Sequence, residues 1–194
     1  MIYQLLGFGL LLVSCAHLFT GVNKWETQIV RKVQGLFKTK PWLTLFQEIW
    51  FFGRTSFAVI SLLLLISLKW KIGAIALLVF LITVGIENIL KKTLNRPRPY
   101  TTHPDINMLQ PNNPVDPSFP SGDTLRIWYL ALILPTAAGD SGLFLTASLL
   151  LAILVTMGRI VLGVHYLTDT IAGIGLGMLG AGTTLWLWHL LQLL

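Results

Sequence analysis

What most constrains this chain is a succession of apolar runs, each about as long as a bilayer is thick, with the charged residues gathered between them. A helix rises about 1.5 Å per residue, so roughly 20 apolar residues cross a hydrocarbon core ~30 Å thick. Runs of this kind fall at about 2–20, 51–70, 72–94, 124–138, 143–162 and 170–191. The expected fold class is all-α: an integral membrane bundle of six transmembrane helices, one domain over 1–194. Composition excludes a soluble domain, with 54% hydrophobic residues, 11% charged and a mean hydropathy of +0.72. The net charge of +6 does not call for nucleic acid. The basic residues lie between apolar spans and suit loop charges and an anionic substrate. Cys15 is the single cysteine, so no internal disulfide is available.

Between the first two runs, residues 22–48 carry Lys24, Trp25, Glu26, Arg31, Lys32, Lys38 and Lys40. Ile29, Val33 and Leu36 recur at helical spacing, predicting an amphipathic helix on the membrane surface, a solvated connector. Leu12-Val13-Ser14-Cys15 resembles a lipoprotein cleavage box, but Met1 to Leu10 lacks basic residues, so a retained first span is expected. Trp50 and Trp70 bracket the second run as interface anchors, and Arg54 must face protein or the interface. Gly139-Asp140-Ser141-Gly142 reads as a tight turn. His17 and His189 suit packing, and the glycines at 173, 175, 177, 180 and 182 suit close helix contact.

The chemistry-bearing residues fall in three places. Near the end of the third run, Glu87 and Lys91 are i and i+4, a pair that can hold Lys91 toward the bundle interior. Asn95-Arg96-Pro97-Arg98-Pro99 follows, where prolines break the helix and fix two arginines on a stiff segment. The loop 95–123 is long for so small a bundle, which marks it as functional or mobile. It ends in Pro120-Ser121-Gly122-Asp123, a turn into a helix start whose backbone N–H groups and hydroxyl make an anion seat. Arg126 lies three residues after Asp123, on the same face. Arg159, His165 and Asp169 close the fifth run. His165 and Asp169 are i and i+4, so the carboxylate can orient the imidazole as a nucleophile, while Arg159 can fork onto an oxyanion.

Six crossings place the end of span three, the start of span four and the junction of spans five and six on one membrane side. Lys91, Arg98, Ser121, Arg159, His165 and Asp169 can therefore converge into a phosphate site.

Lys91-x6-Arg98-Pro99, Pro120-Ser121-Gly122 and Arg159-x5-His165-x3-Asp169 together resemble the three signature motifs of the type 2 phosphatidic acid phosphatase family, the membrane branch of the vanadium haloperoxidase superfamily. The resemblance implies a metal-independent lipid phosphatase without a cofactor. His165 would attack phosphorus and Asp169 would orient it. Lys91, Arg98 and Arg159 would bind phosphoryl oxygens, helped by Ser121 and Gly122. Glu87, Arg96 and Arg126, singled out by their spacing, are accessory candidates beside them.

Two positions depart from the pattern. Gly158 stands where serine is usual, and Asp123 stands where the family has its general-acid histidine. With Arg126 beside it, Asp123 is a poor acid. A diphosphate, whose phosphomonoester leaving group needs little protonation, is then the better substrate, with undecaprenyl diphosphate as the best match. Otherwise His103 supplies the proton, or the site binds phosphate without turnover. Alternative activities are lipid phosphotransfer, hydrolysis of phosphatidate or phosphatidylglycerophosphate, and a lipid-phosphate binder or transporter. The expected partners are a membrane lipid phosphate and the phospholipid bilayer, with no nucleic acid; the sequence leaves oligomeric state open. A count of loop charges puts the site in the cytoplasm, whereas resemblance to bacterial family members puts it on the periplasmic side of the inner membrane. The periplasmic side is the expectation.

Overall fold

The computed structural model describes residues 1–139 and 142–192, so the expected turn at 139–142 falls partly outside the described residues. Nine helices make up the described chain: α1 (Ile2–Ser14), α2 (Thr20–Leu36), α3 (Lys40–Ile49), α4 (Thr55–Leu68), α5 (Trp70–Leu94), α6 (Pro99–Thr102), α7 (Gly122–Ala138), α8 (Leu143–Val161) and α9 (Leu167–Gln192). Short 3₁₀ turns at Cys15–Leu18 and Trp50–Gly53 link α1 to α2 and α3 to α4. No strand occurs among the described residues, and α1, α4, α5, α7, α8 and α9 form the membrane bundle.

Of these six, α5, α8 and α9 are each long and apolar enough to cross a membrane alone. Helix α7 has 17 residues, at the lower limit for a span. It is buried on nearly every side, through Leu125, Ile127, Tyr129, Leu130, Leu132 and Ile133. The chain turns by 100° from α1 into α2 and by 47° into α4, so the first two spans are shorter than their apolar runs. Lipid-facing residues include Leu78, Leu81, Ile82 and Ile89, all on α5 and all exposed.

Helix α9 has neighbours close on several sides because glycine lets them approach. A Cβ at Gly175 would lie 2.7 Å from the carbonyl oxygen of Gly7 on α1. One at Gly173 would lie 2.5 Å from the carbonyl oxygen of Ser121, where α7 begins. Dispersion across such contacts, rather than expulsion of water, holds helices together in lipid. The second contact also sets the start of α7 against the start of α9.

Two expectations for the segment after α1 change. It forms two helices, α2 and α3, and the buried face of α2 is not the Ile29–Val33–Leu36 stripe. Glu26, Thr27, Val30 and Gln34 point inward, while Trp25 and Leu36 are exposed. The polar residues win this face because the loop 95–123 and the α8–α9 turn lie beneath it and offer partners. Gln34 donates to the carbonyls of Asn107 and Val161, at 2.7 and 3.1 Å. Arg31 pairs with Asp105, and Gln47 on α3 donates to the Leu109 carbonyl at 2.8 Å. The long loop is thus tied down along its length.

Helix α5 ends where Asn95 takes a left-handed conformation, φ 41°, before the prolines. Helix α8 ends similarly, and Gly163 turns the chain at φ 73°. A side chain there would meet the Asn107 carbonyl oxygen at 2.3 Å and the Gln34 amide at 2.5 Å, so only glycine fits. The backbone then folds back, and the N–H groups of Val164 and His165 both approach the Arg159 carbonyl at 3.3 Å. His165 therefore sits in a turn before α9, not on a helix shared with Asp169, which lies in the first turn of α9.

Candidate active site

The three sequence motifs meet at one end of the bundle around a cavity of about 140 Å³. Its walls include Lys91 from α5, Arg98 after it, Asp123 and Arg126 from α7, Arg159 from α8, and His165. Trp50, Gln110, Pro114, Asp116 and Gly122 complete it.

Arg98 Nη1 lies 3.2 Å from Nε2 of His165 and donates to it, so Nε2 carries the lone pair and Nδ1 the proton. On the other side of the ring, Asp169 Oδ2 lies 3.5 Å from Nδ1, at the edge of hydrogen-bonding range. The same carboxylate oxygen accepts from the Ser118 hydroxyl and, at 2.8 Å, from the Tyr166 N–H. Burial and the Arg98 charge push the His165 imidazole down to about 4, against the upward pull of Asp169. It is therefore neutral at physiological pH, the form that can attack an electrophile.

The cations are placed by further partners. Lys91 is held by Glu87 Oε1 at 3.0 Å, as the i and i+4 spacing predicts, and also by Asp116. Arg98 donates to Asp116 Oδ1 at 2.8 Å and to the Val164 carbonyl at 2.9 Å. The Asp116 carboxylate thus sits between two of the three cations expected to bind phosphate. Burial works against its charge, yet Lys91 and Arg98 hold its carboxyl down at about 2. Arg159 is 1% exposed and reaches Gln110 through Nη2. Its Nε and Nη1 make no hydrogen bond among the described residues, although Nη1 lies 3.3 Å from Asp123 Oδ2. Such unpartnered buried donors are costly, and an oxyanion in the cavity would satisfy them.

Asp123 accepts from Trp50 Nε1 at 3.0 Å and from Arg126 Nη2 at 3.1 Å. With Arg159 also adjacent, both its oxygens face donors, so as placed it has no proton to give. Trp50 turns inward to make this contact instead of standing free as an interface anchor, whereas Trp70 is 67% exposed. Arg126 is also fixed by the Gly53 carbonyl at 3.0 Å and by Glu87 Oε2 at 3.2 Å. This pair lies over Gly122, where a Cβ would meet Glu87 Oε1 at 2.1 Å.

Two expected residues stand elsewhere. Ser121 does not line the cavity: its hydroxyl pairs with Thr124 Oγ1 at 3.0 Å, and its N–H donates to the Asp169 carbonyl at 2.9 Å. It ties α7 to α9, leaving the first-turn N–H of Gly122 as the backbone donor at the cavity wall. His103 lies in a separate pocket beside Asn23, Lys24 and Arg31, 3.2 Å from Thr27 Oγ1, and is not placed to protonate a leaving group.

Asp116, Gln110, Ser118 and Glu26 were not legible as site residues. They sit in an aperiodic loop and on a surface helix, where spacing carries no signal. Arg96 is buried and bridges Glu26 Oε2 at 2.7 Å and Asp169 Oδ1 at 2.6 Å, behind the His165–Asp169 pair rather than in the cavity. Among the described residues no cluster of His, Cys, Asp and Glu could hold a metal ion.

These features define a class: a multi-pass membrane protein with a buried histidine beside an aspartate, facing a cavity walled by four cations at one end of its bundle. The chain belongs to the PAP2 superfamily, whose family model matches residues 72–192. Among curated protein sequences none matches. Of solved structures, it is similar to the first transmembrane PAP2 type phosphatidylglycerolphosphate phosphatase from Bacillus subtilis, with a TM-score of 0.81 and 22% identity over 97% of each chain. It is also similar to Aquifex aeolicus LpxE, with a TM-score of 0.73 and 24% identity over 82% of this chain and 93% of that one.

Proposed function

We propose that the protein is a membrane lipid phosphatase, one domain over 1–194, that works through a phosphohistidine on His165. The observation that carries this reading is the geometry at Nε2. Its lone pair accepts from Arg98 at the wall of a cavity that Lys91, Arg98 and Arg159 surround with positive charge, and it is freed when Arg98 turns to a phosphoryl oxygen. Phosphoryl transfer asks chiefly for position and for compensation of charge on the equatorial oxygens, and these residues supply both.

Nε2 attacks phosphorus as the bond to the leaving oxygen breaks and its electron pair departs with that oxygen. The positive charge left on the phosphorylated imidazole is balanced by Asp169. Water then attacks phosphorus, releases inorganic phosphate and restores the neutral ring. The phosphoryl oxygens replace the Asp116 carboxylate on Lys91 and Arg98, so Asp116 moves aside when substrate binds.

The environment of Asp123 supports a lipid diphosphate, such as undecaprenyl diphosphate, as substrate. A phosphomonoester leaves without a proton, and Arg126 stands at the wall to receive its charge. A second reading, a lipid phosphomonoester, is favoured by similarity to the Bacillus phosphatidylglycerolphosphate phosphatase along nearly the whole of both chains. Phosphate release in detergent and chelator, from undecaprenyl diphosphate and from phosphatidate, tests both. Release from the diphosphate should be faster and absent in His165→Ala. Monoester hydrolysis at least as fast would overturn the diphosphate reading. Activity appearing only in Asp123→His would favour a phosphate binder. The site is assigned to the periplasmic face of a bacterial inner membrane; a reporter fused after Leu194 would then be active in the cytoplasm.

A further inference from the structure

Behind the catalytic pair, three elements share one buried ionic chain. Glu26 on α2 is fully buried, and its Oε1 accepts the Thr168 N–H at 2.6 Å in the first turn of α9. Its Oε2 accepts from Arg96 Nη2 at 2.7 Å, beside Asn23 Oδ1 at the same distance. Arg96 Nη1 reaches Thr168 Oγ1 at 2.9 Å and Asp169 Oδ1 at 2.6 Å. The guanidinium lies over the Tyr166 ring, 4.2 Å from its centroid. The one fork therefore binds two carboxylates that would otherwise repel, and every member is hydrogen-bonded.

We infer that Glu26 and Arg96 are positioning residues for the reaction, setting through Asp169 the orientation and basicity of His165. Arg96 occupies Asp169 Oδ1 and so turns Oδ2 toward the imidazole, Ser118 and the Tyr166 N–H. Glu26 shares the guanidinium charge, which would otherwise fall wholly on Asp169 and weaken its hold on the ring. Were the chain only a brace between α2 and α9, one carboxylate on the Thr168 N–H would serve. The bridge to the oxygen opposite the histidine side would then have no task.

This inference rests on His165 as the nucleophile, so His165→Ala is assayed beside the variants. Glu26→Gln keeps the shape and keeps the Arg96 contact through its one oxygen, at the cost of the Thr168 N–H contact, while Arg96→Lys keeps the charge but loses the fork. Each should lower kcat by roughly tenfold or more while leaving KM within about twofold. Both should still unfold cooperatively and elute as the parent does in detergent, at a lower unfolding temperature because a buried pair is weakened. Arg96→Gln should also move the acid limb of kcat to higher pH, because an unshared Asp169 holds the imidazolium more firmly. The other charges facing His165 are Arg98, Arg159 and Asp123, all unchanged in these variants.

Folded Glu26→Gln and Arg96→Lys with unchanged kcat would overturn the inference, as would losses that merely follow the folded fraction. If His165→Ala itself remained active, the nucleophile reading would fall instead.

Discussion

The two ends of the bundle use opposite means to hold their helices. At the far end, Leu64, Leu65, Leu68, Leu134 and Ala137 border an apolar pocket, and Lys69 donates to the Ala137 carbonyl at 2.6 Å. Contact there comes from small residues and interlocking aliphatic chains. At the site end, Glu26, Glu87, Lys91, Arg96, Arg98, Arg159 and Asp169 are all buried charges. Ion pairs removed from water rarely stabilise more than apolar packing would, and they punish loss of one partner. Among the described residues buried charges gather at this one end, which marks where the fold departs from what stability alone would ask. Substitutions should separate accordingly.

The largest effect should come from His165→Ala, which removes the attacking atom. Phosphate release should fall by about 10⁴-fold or more with thermal stability little changed. Next, Arg159→Gln should cut kcat by roughly 10²–10³-fold, because it deletes donors aimed at developing charge. At the bundle's interior, Gly175→Leu should do the reverse. It forces a side chain against the Gly7 carbonyl and should cost about 2–3 kcal/mol of stability, read as a lower unfolding temperature in detergent. The folded fraction should keep its kcat.

A pH profile sharpens the comparison further. His165 reacts only when unprotonated, and its imidazole sits at about 4. In the unsubstituted protein kcat should hold from neutrality to about pH 5 and fall below that as the ring gains its proton. Arg98→Gln removes a cation that disfavours that proton. It should raise the ring toward its ordinary value of about 6.5 and move the acid limb upward. The smallest effect should be Asp116→Asn, lowering the apparent inhibition constant of vanadate by about threefold, since the neutral amide competes less for Lys91 and Arg98.

The membrane bundle could be read from the apolar runs, because a span must be continuous and its length is fixed by lipid. The cavity residues Lys91, Arg98, Arg159 and His165 could be read because crossing parity brings helix ends together whatever the details of packing. Two kinds of feature could not. Helix ends depend on local backbone, so Gly163 turns the chain and takes His165 off the helix that i and i+4 spacing suggested. Burial of α2 depends on what lies beneath it, so Glu26 and Gln34 turn inward although the apolar spacing ran along another face. Arg96 showed as an arginine on a proline-stiffened segment, but its partners come from sequence positions 70 and 73 residues away.

The Asp116 carboxylate gives the site a means of ignoring the wrong anions. A group carried on a loop that is itself tied down competes at a high effective concentration, because little freedom is lost each time it returns. Free sulfate or inorganic phosphate in the surrounding fluid must outweigh it in concentration and intrinsic affinity together to hold Lys91 and Arg98. A lipid confined to the plane of the membrane arrives with its own high local concentration and can win the exchange. The same return of the carboxylate would clear spent phosphate after each turnover, so catalysis could continue in a phosphate-rich medium.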